Sequence, residues 1–272
     1  MDRIKAALSA CALAAAALSS PALADPIEAE IDLFELHVGD GDEHFTFDSA
    51  ISTGSDTDRF ELRASGGSDV GPTIDNVQLE ALYVHNFSDS FTALVGARQD
   101  VRPGSDLAHV SAAFVVLPVE WLEIEHFFYL SENGNLIGSG QLLASIDASD
   151  GVTVEPRLNI NWAAQTIVDE SVGSGVTDIQ AAVRVRKSLG PHLEAYAGAI
   201  HERLLGKTRM IATADGGRSS VNRVIIGAAT AWASASCWPD RRCAAVASCG
   251  SAAVASCSIR TTRAGQAATV SE

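Results

Sequence analysis

The chain has 272 residues, 47% of them hydrophobic and 6% aromatic, with a formal net charge of −15 at pH 7. That acidic balance excludes a nucleic-acid binder working through phosphate contacts, which need a basic surface. Beyond residue 25 no apolar run reaches the roughly 20 residues that a membrane-spanning helix requires, so helical insertion is excluded as well.

In chain order, Met1-Asp-Arg-Ile-Lys5 forms a short basic start, followed by an apolar run from Ala6 to Leu18 and by Pro21-Ala-Leu-Ala24. Residues 1–24 therefore read as a secretory signal peptide cleaved before Asp25. Residues 25–56 read as an acidic periplasmic segment preceding the folded domain. Within it His37, Asp40, Asp42, Glu43 and His44 offer nitrogen and oxygen ligands of the kind that hold a divalent metal; a solvated acidic face is the plainer alternative.

From 57 to 232 the pattern changes to short alternating segments. In Val152-Thr-Val-Glu-Pro-Arg-Leu-Asn-Ile-Asn-Trp162 the apolar residues fall on one face and the polar ones on the other, which is the period of a strand. Strands are expected at about 57–65, 75–86, 90–100, 106–118, 119–131, 137–147, 151–163, 175–188, 191–203 and 219–232. Short turns alternate with longer loops, and aromatic residues gather at both ends: Phe87, Phe91 and Trp121 at one, Tyr129 and Trp162 at the other. Both features belong to barrels of the outer membrane, whose lipid-facing wall is apolar and whose lumen is polar. The expected fold is all-β, an antiparallel transmembrane barrel of about 10 strands followed by a disordered tail. Pro156 cannot donate a ladder hydrogen bond, so an irregularity is expected beside it.

If the apolar stripe faces lipid, the lumen receives Arg59, Glu61, Arg63, Gln78, Glu80, Arg98, Asp100, Glu155, Arg157, Asp178, Gln180, Arg184 and Arg186. Buried charges must pair or stay hydrated, so Arg98 is expected to meet Glu80, and Arg184 a neighbouring acid. A salt-bridged plug and a cation-selective path both fit this lining. Residues 233–272 are rich in Ala, Ser and Cys and repeat Ala244-Ala-Val-Ala-Ser-Cys249 as Ala252-Ala-Val-Ala-Ser-Cys257. The spacing of Cys237, Cys243, Cys249 and Cys257 does not match a zinc site. This tail reads as low-complexity sequence outside the barrel, of the kind a shifted reading frame or a repeat expansion produces.

The chain resembles the copper resistance protein B family of outer-membrane barrels over about Phe34 to Trp232. The resemblance rests on Gly41-Asp-Glu-His-Phe-Thr-Phe-Asp48, Thr57-Asp-Arg-Phe60, Leu82-Tyr83, Val95-Gly-Ala-Arg-Gln-Asp100, Leu130-Ser-Glu-Asn-Gly134, Val154-Glu-Pro-Arg157 and the run from Gly173 to Arg186, in that order. It implies a non-enzymatic outer-membrane protein of copper homeostasis that binds or passes copper ions. The implied partners are outer-membrane lipid, the barrel-assembly machinery and a periplasmic copper-handling protein. The Met- and His-rich segment common in the family is missing: past residue 24 the one methionine is Met210. Two other readings remain at this stage. One is a ten-stranded outer-membrane protease, with His201 or His109 beside Asp106 activating water. The other is a soluble periplasmic β-domain that binds a ligand.

Overall fold

The computed structural model describes residues 27–41, 43–69, 76–102 and 106–233. Their strands are β1 (Ile27–Gly39), β2 (His44–Gly54), β3 (Asp58–Asp69), β4 (Asn76–Ser88), β5 (Phe91–Val101), β6 (Leu107–Val119), β7 (Leu122–Ser131), β8 (Leu136–Ala144), β9 (Ile146–Ser149), β10 (Val152–Ala163), β11 (Gly175–Ser188), β12 (Leu193–Leu204) and β13 (Ser220–Ala233). One helix, α1 (Gly206–Ala214), sits between β12 and β13. Each strand runs antiparallel to its neighbours, and β13 pairs with both β12 and β1, so the sheet closes on itself. Closure gives every wall strand a partner on both sides, the condition for backbone to lie in hydrocarbon.

The ring has 12 strands rather than about ten, with β9 as one further strand that pairs only with β10. The ten expected strands are all present with ends moved by a few residues; the two additional ones, β1 and β2, lie in the segment assigned to an acidic lead-in. In β1 the polar residues Glu28, Glu30 and Asp32 alternate with apolar ones, but Leu33 and Phe34 follow as adjacent apolar residues and shift the phase to Glu35 and His37. The structure resolves that slip as a bulge: the register of β1 changes between Ile31 and Leu33 against β2, and between Ile31 and Glu35 against β13. One inserted residue keeps the carboxylates on the same side of the wall across the bulge.

The two faces differ as they would in an inside-out protein. Phe34, Val110 and Ile226 on the outer wall are 56%, 66% and 60% exposed, whereas Glu35, Glu155 and Arg184 on the inner wall are 1%, 3% and 2% exposed. A soluble sandwich would bury the first set and expose the second.

The connections at one end are residues 55–57, 89–90, 120–121, 150–151 and 189–192, and those at the other end are 40–43, 70–75, 102–106, 132–135, 164–174 and 205–219. Ile27 and Ala233 both lie at the short-turn end.

Phe87, Phe91 and Trp121 are exposed at the short-turn end, as the girdle pattern requires. Trp162 lies on the outer wall toward the loop end, where its Nε1 donates to His126 Nε2 at 3.3 Å and its ring stacks on that imidazole. The indole fits because residue 138 is glycine; a Cβ there would overlap it. Tyr129 departs from expectation: it is 6% exposed, faces the lumen, and stacks on Phe127 at 5.4 Å. Phe127 and Phe128, adjacent in sequence, point to opposite faces, the first buried and the second exposed.

The irregularity expected at Pro156 falls in the partner strand. Against β11 the register runs unbroken through Pro156, while on its other side β10 pairs with β8 from Arg157 onward and with β9 up to Val154. The ladder is interrupted where the missing N–H would have donated, and Ser145 turns its own N–H to the Trp121 carbonyl at 2.9 Å.

Candidate functional site

The lumen is the candidate site, and its walls are of two kinds. On β4 to β7 it is filled by Leu82, Val84, Leu94, Ala113, Val115, Phe127 and Tyr129, an apolar cluster where alternation suggested a polar lining. On β1, β10 and β11 it carries charge. Arg157 Nη2 donates to Asp32 Oδ2 at 3.0 Å and to Glu155 Oε1 at 3.0 Å. Arg186 donates to Asp32 Oδ1 at 2.8 Å, and its Nε lies 2.8 Å from Glu155 Oε2. Arg184 makes a two-pronged contact with Glu35, at 2.5 and 3.1 Å. The Arg186 guanidinium also covers the Tyr196 ring at 4.8 Å, and that ring has room because residue 227, opposite it, is glycine.

These contacts cross the lumen. Between β11 and β1 lie β12 and β13, so Arg184–Glu35 and Arg186–Asp32 are chords of the ring rather than rungs between adjacent strands. Arg157–Asp32 spans one strand more. On the far side Arg63 of β3 reaches Glu125 of β7 at 3.0 Å while also pairing with Glu61 on its own strand. A carboxylate shared by two guanidiniums gains charge-assisted hydrogen bonds from both, which offsets the desolvation of groups this deeply buried.

Two cavities flank the charged belt. Toward the loop end a cavity of about 450 Å³ is lined by Gln141, Asn159, Asn161, Asp178, Gln180 and Glu202. Toward the short-turn end a cavity of about 580 Å³ is lined by Glu30, Asp32, Asp147, Asp150, Glu155, Arg186 and Glu194. Asp32, Glu155 and Arg186 therefore form both the belt and the wall of the second cavity.

Of the expected lumen residues, Glu61, Arg63, Asp100, Glu155, Arg157, Arg184 and Arg186 are buried on the inner wall, and Asp178 accepts from Asn161 at 2.7 Å beside the first cavity. Arg98 does not pair with Glu80: it turns to Asp100 on its own strand at 2.5 Å and lies over the Tyr129 ring at 4.5 Å, although Glu80 is its register partner on β4. The partners that complete the belt, Asp32 and Glu35, lie outside the strands expected from sequence because the phase slip at Leu33 and Phe34 hides the period of β1; Glu125 is hidden in the same way, because the stretch 120–130 does not alternate cleanly at Phe127 and Phe128.

The expected metal ligands are brought together only in part. His37 is buried in the lumen with Nε2 at 2.9 Å from Glu35 Oε2 and 3.2 Å from Thr46 Oγ1. His44 is its register partner on β2, the two rings lying 5.9 Å apart. Asp40 sits in the β1–β2 turn, where the backbone N–H and side-chain amide of Asn222 donate to it and hold its carboxyl below the usual carboxylate range. Glu43 is exposed, and Asp42 lies outside the described residues, as do the signal segment and residues 234–272. Among the described residues no three His, Cys, Asp or Glu side chains are gathered as a metal site. His109 faces the lumen and His201 the outer wall, so the two histidines considered for water activation do not share a site.

A family model described as copper resistance protein B precursor (CopB) matches residues 27–232. A copper resistance protein B homolog of Pseudomonas syringae pv. tomato is 24% identical over 174 residues, 64% of this chain and 59% of that protein. Copper resistance protein B of Escherichia coli is 25% identical over 190 residues, 68% of this chain and 62% of that protein. The aligned part thus spans about three fifths of these relatives' length. Among solved structures, the NanC porin superposes with a TM-score of 0.49 at 10% identity, over 76% of this chain and 99% of that one. The KdgM porin does so at 0.45 and 11%, over 75% and 98%.

Proposed function

The chain belongs to the copper resistance protein B family, and from that premise we propose that its barrel acts in copper tolerance at the outer membrane, with copper ions bound in or passed through the lumen. The short-turn end then faces the periplasm and the loop end the outside. Lipid, the barrel-assembly machinery and a periplasmic copper-handling protein are the partners of this reading.

The observation that carries it is an excess of carboxylate inside the wall. Glu30, Asp48 and Glu123, on β1, β2 and β7, make no side-chain hydrogen bond or ion pair among the described residues, yet share Asp32 and Arg63 as electrostatic neighbours. Carboxylates left without a partner are the oxygen ligands open to an incoming divalent cation, which takes them in the deprotonated form. His37 adds a nitrogen: its Nδ1 is buried in the lumen without a partner among the described residues. Carboxylate and imidazole suit copper(II), whereas the thioether that suits copper(I) is represented by Met210 alone among the described residues, and Met210 is exposed on α1.

The chemistry asked of the protein is coordination and passage, with no bond broken. A copper(II) ion entering the second cavity passes the exposed Asp147 and Asp150 and the half-exposed Glu194 before it reaches Glu30, Asp32 and Glu155, and to go further it must compete with Arg157 and Arg186 for the last two. Titration of the refolded full-length protein with copper(II), followed by electron paramagnetic resonance, tests the reading. His37→Ala with His44→Ala is expected to weaken binding about tenfold or more, as loss of ligands or their supports does. Binding unchanged by these substitutions and by Glu30→Gln with Asp48→Asn would remove copper from the lumen.

A further inference from the structure

The connection between β10 and β11, residues 164–174, is anchored at both feet. At the first, Ala164 N–H donates to the Leu136 carbonyl at 2.9 Å, and Gln165 Nε2 to Asn135 Oδ1 at 3.0 Å. At the second, Gly173 N–H donates to Thr208 Oγ1 of α1 at 3.0 Å, and Lys207 Nζ to Ser174 Oγ at 3.0 Å. Residue 173 packs so closely on α1 that a Cβ there would overlap Lys207. Between the feet Ile167 and Val172 pair as an isolated bridge, which makes 167–172 a small hairpin tipped by a single 3-10 turn, Val168–Glu170. Ile167 is 6% exposed, so the hairpin is packed inward rather than extended into solvent.

The tip is tied by one ion pair. Glu170 Oε2 lies 3.6 Å from Arg102 Nη1, just past the end of β5, and three wall strands, β6, β7 and β8, separate β5 from β10. The pair is therefore a chord over the mouth of the barrel. Beneath it the lumen rim is dry: Asp100, Leu107 and His109, all within three residues of the loop ends of β5 and β6, are 5%, 5% and 4% exposed. A side chain so near the open end of a barrel is wet unless something covers it. Glu170 and Arg102 are among the charges that flank His109, whose Nδ1 has no partner among the described residues.

We propose that the hairpin 167–172 is a gate over the β5–β6 side of the mouth, held shut by the Glu170–Arg102 pair and released by ionic strength. With both feet fixed, the tip is the part free to swing. The two side chains are 24% and 27% exposed, a setting in which an ion pair holds weakly. In 1 M salt the screening length is about 3 Å, which suppresses such a pair. Ser171, directly after the turn, takes a left-handed backbone with φ 56°, so the closed hairpin carries strain that opening relieves. The gate does not rest on copper; that it faces outside follows from the orientation given above.

Carbethoxylation of histidines by diethyl pyrocarbonate tests it, on the refolded full chain at about pH 8, where imidazole is neutral whichever charges flank it. Peptide mass mapping gives the rate at each histidine, and His192, exposed at the short-turn end, is the internal reference. In the wild type at low salt His109 should react about tenfold or more slower than His192, through local opening. Salt at 1 M should speed His109 by up to about fivefold, the most that a partly exposed pair sustains. Glu170→Gln and Arg102→Gln should each do the same at low salt and remove the response to salt. The swap Glu170→Arg with Arg102→Glu should restore both the slow rate and that response, which a merely loosened loop would not. Heat modifiability in gels establishes that each variant is folded; if one single substitution does not fold, the other decides. A His109 rate that ignores salt in the wild type, that is unchanged by the single substitutions, or that stays fast in the swap would each overturn the proposal.

Discussion

Asp32→Ala is expected to destabilise the barrel by about 3–5 kcal/mol, the range for removing one partner of a buried charge pair. Asp32 accepts from Arg157 at 3.0 Å and from Arg186 at 2.8 Å, so its loss leaves two guanidiniums in the lumen with Glu155 as their remaining shared acid. Asp32 also borders the second cavity, and water entering from there will hydrate part of the exposed charge, which favours the lower end of the range. Replacing both partners, Asp32→Asn with Arg157→Gln, should cost much less, because no charge is then left without a counter-ion. Denaturant unfolding in lipid vesicles, read by tryptophan fluorescence and heat modifiability, measures both. A single substitution costing under about 1 kcal/mol, the range of an exposed pair, would mean that the chord across the lumen is not formed.

The second large effect separates the two faces of β10. Ile160 lies on the outer wall between Gly140 of β8 and Ile179 of β11, whereas Asn161 faces the lumen and donates to Asp178 at 2.7 Å. Ile160→Arg places a charge against lipid, at a cost of about 2–4 kcal/mol near the bilayer midplane and less toward the interface. Ile160 is three residues from the end of its strand, so the lower part of that range is expected. Asn161→Arg puts the same charge beside Asp178 in a hydrated cavity and should be close to neutral. Folding yields into liposomes, scored on gels without heating, give the comparison. Equal yields would show that the faces are assigned the wrong way round.

What could be read from sequence depended on whether the period stayed in phase. β10 alternates without a break from Val152 to Asn161, and its bounds were legible within a residue. β1 alternates as well, but Leu33 and Phe34 reset its phase, and two half-strands of opposite phase look like an irregular acidic segment. Allowing one inserted residue would have joined them and brought Asp32 and Glu35 onto one face with His37. The lumen face of β10 and β11 was legible for the same reason as their lipid face. Its pairings were not, because Arg184 and Glu35 are 149 residues apart and meet only through closure of the ring. Register likewise placed Glu80 opposite Arg98, but a guanidinium reaches two residues along its own strand as readily as across to the next, and Asp100 there is on the same face. The apolar filling of β4 to β7 is a further departure: a lumen packed on one side needs water only on the other, so inward Leu82, Leu94 and Val115 are tolerated.

The central claim is that copper ions use this lumen and that the belt of Arg157, Arg184 and Arg186 with Asp32, Glu35 and Glu155 restricts them. Copper(II) entry into dye-loaded liposomes carrying the refolded protein measures this directly. Entry with the wild type should be slow but above that of protein-free vesicles. The paired substitution Asp32→Asn with Arg157→Gln should raise it about tenfold, the effect of lowering the barrier by about 1.4 kcal/mol. Entry no faster than in protein-free vesicles for both proteins, with both shown to be folded, would contradict the account.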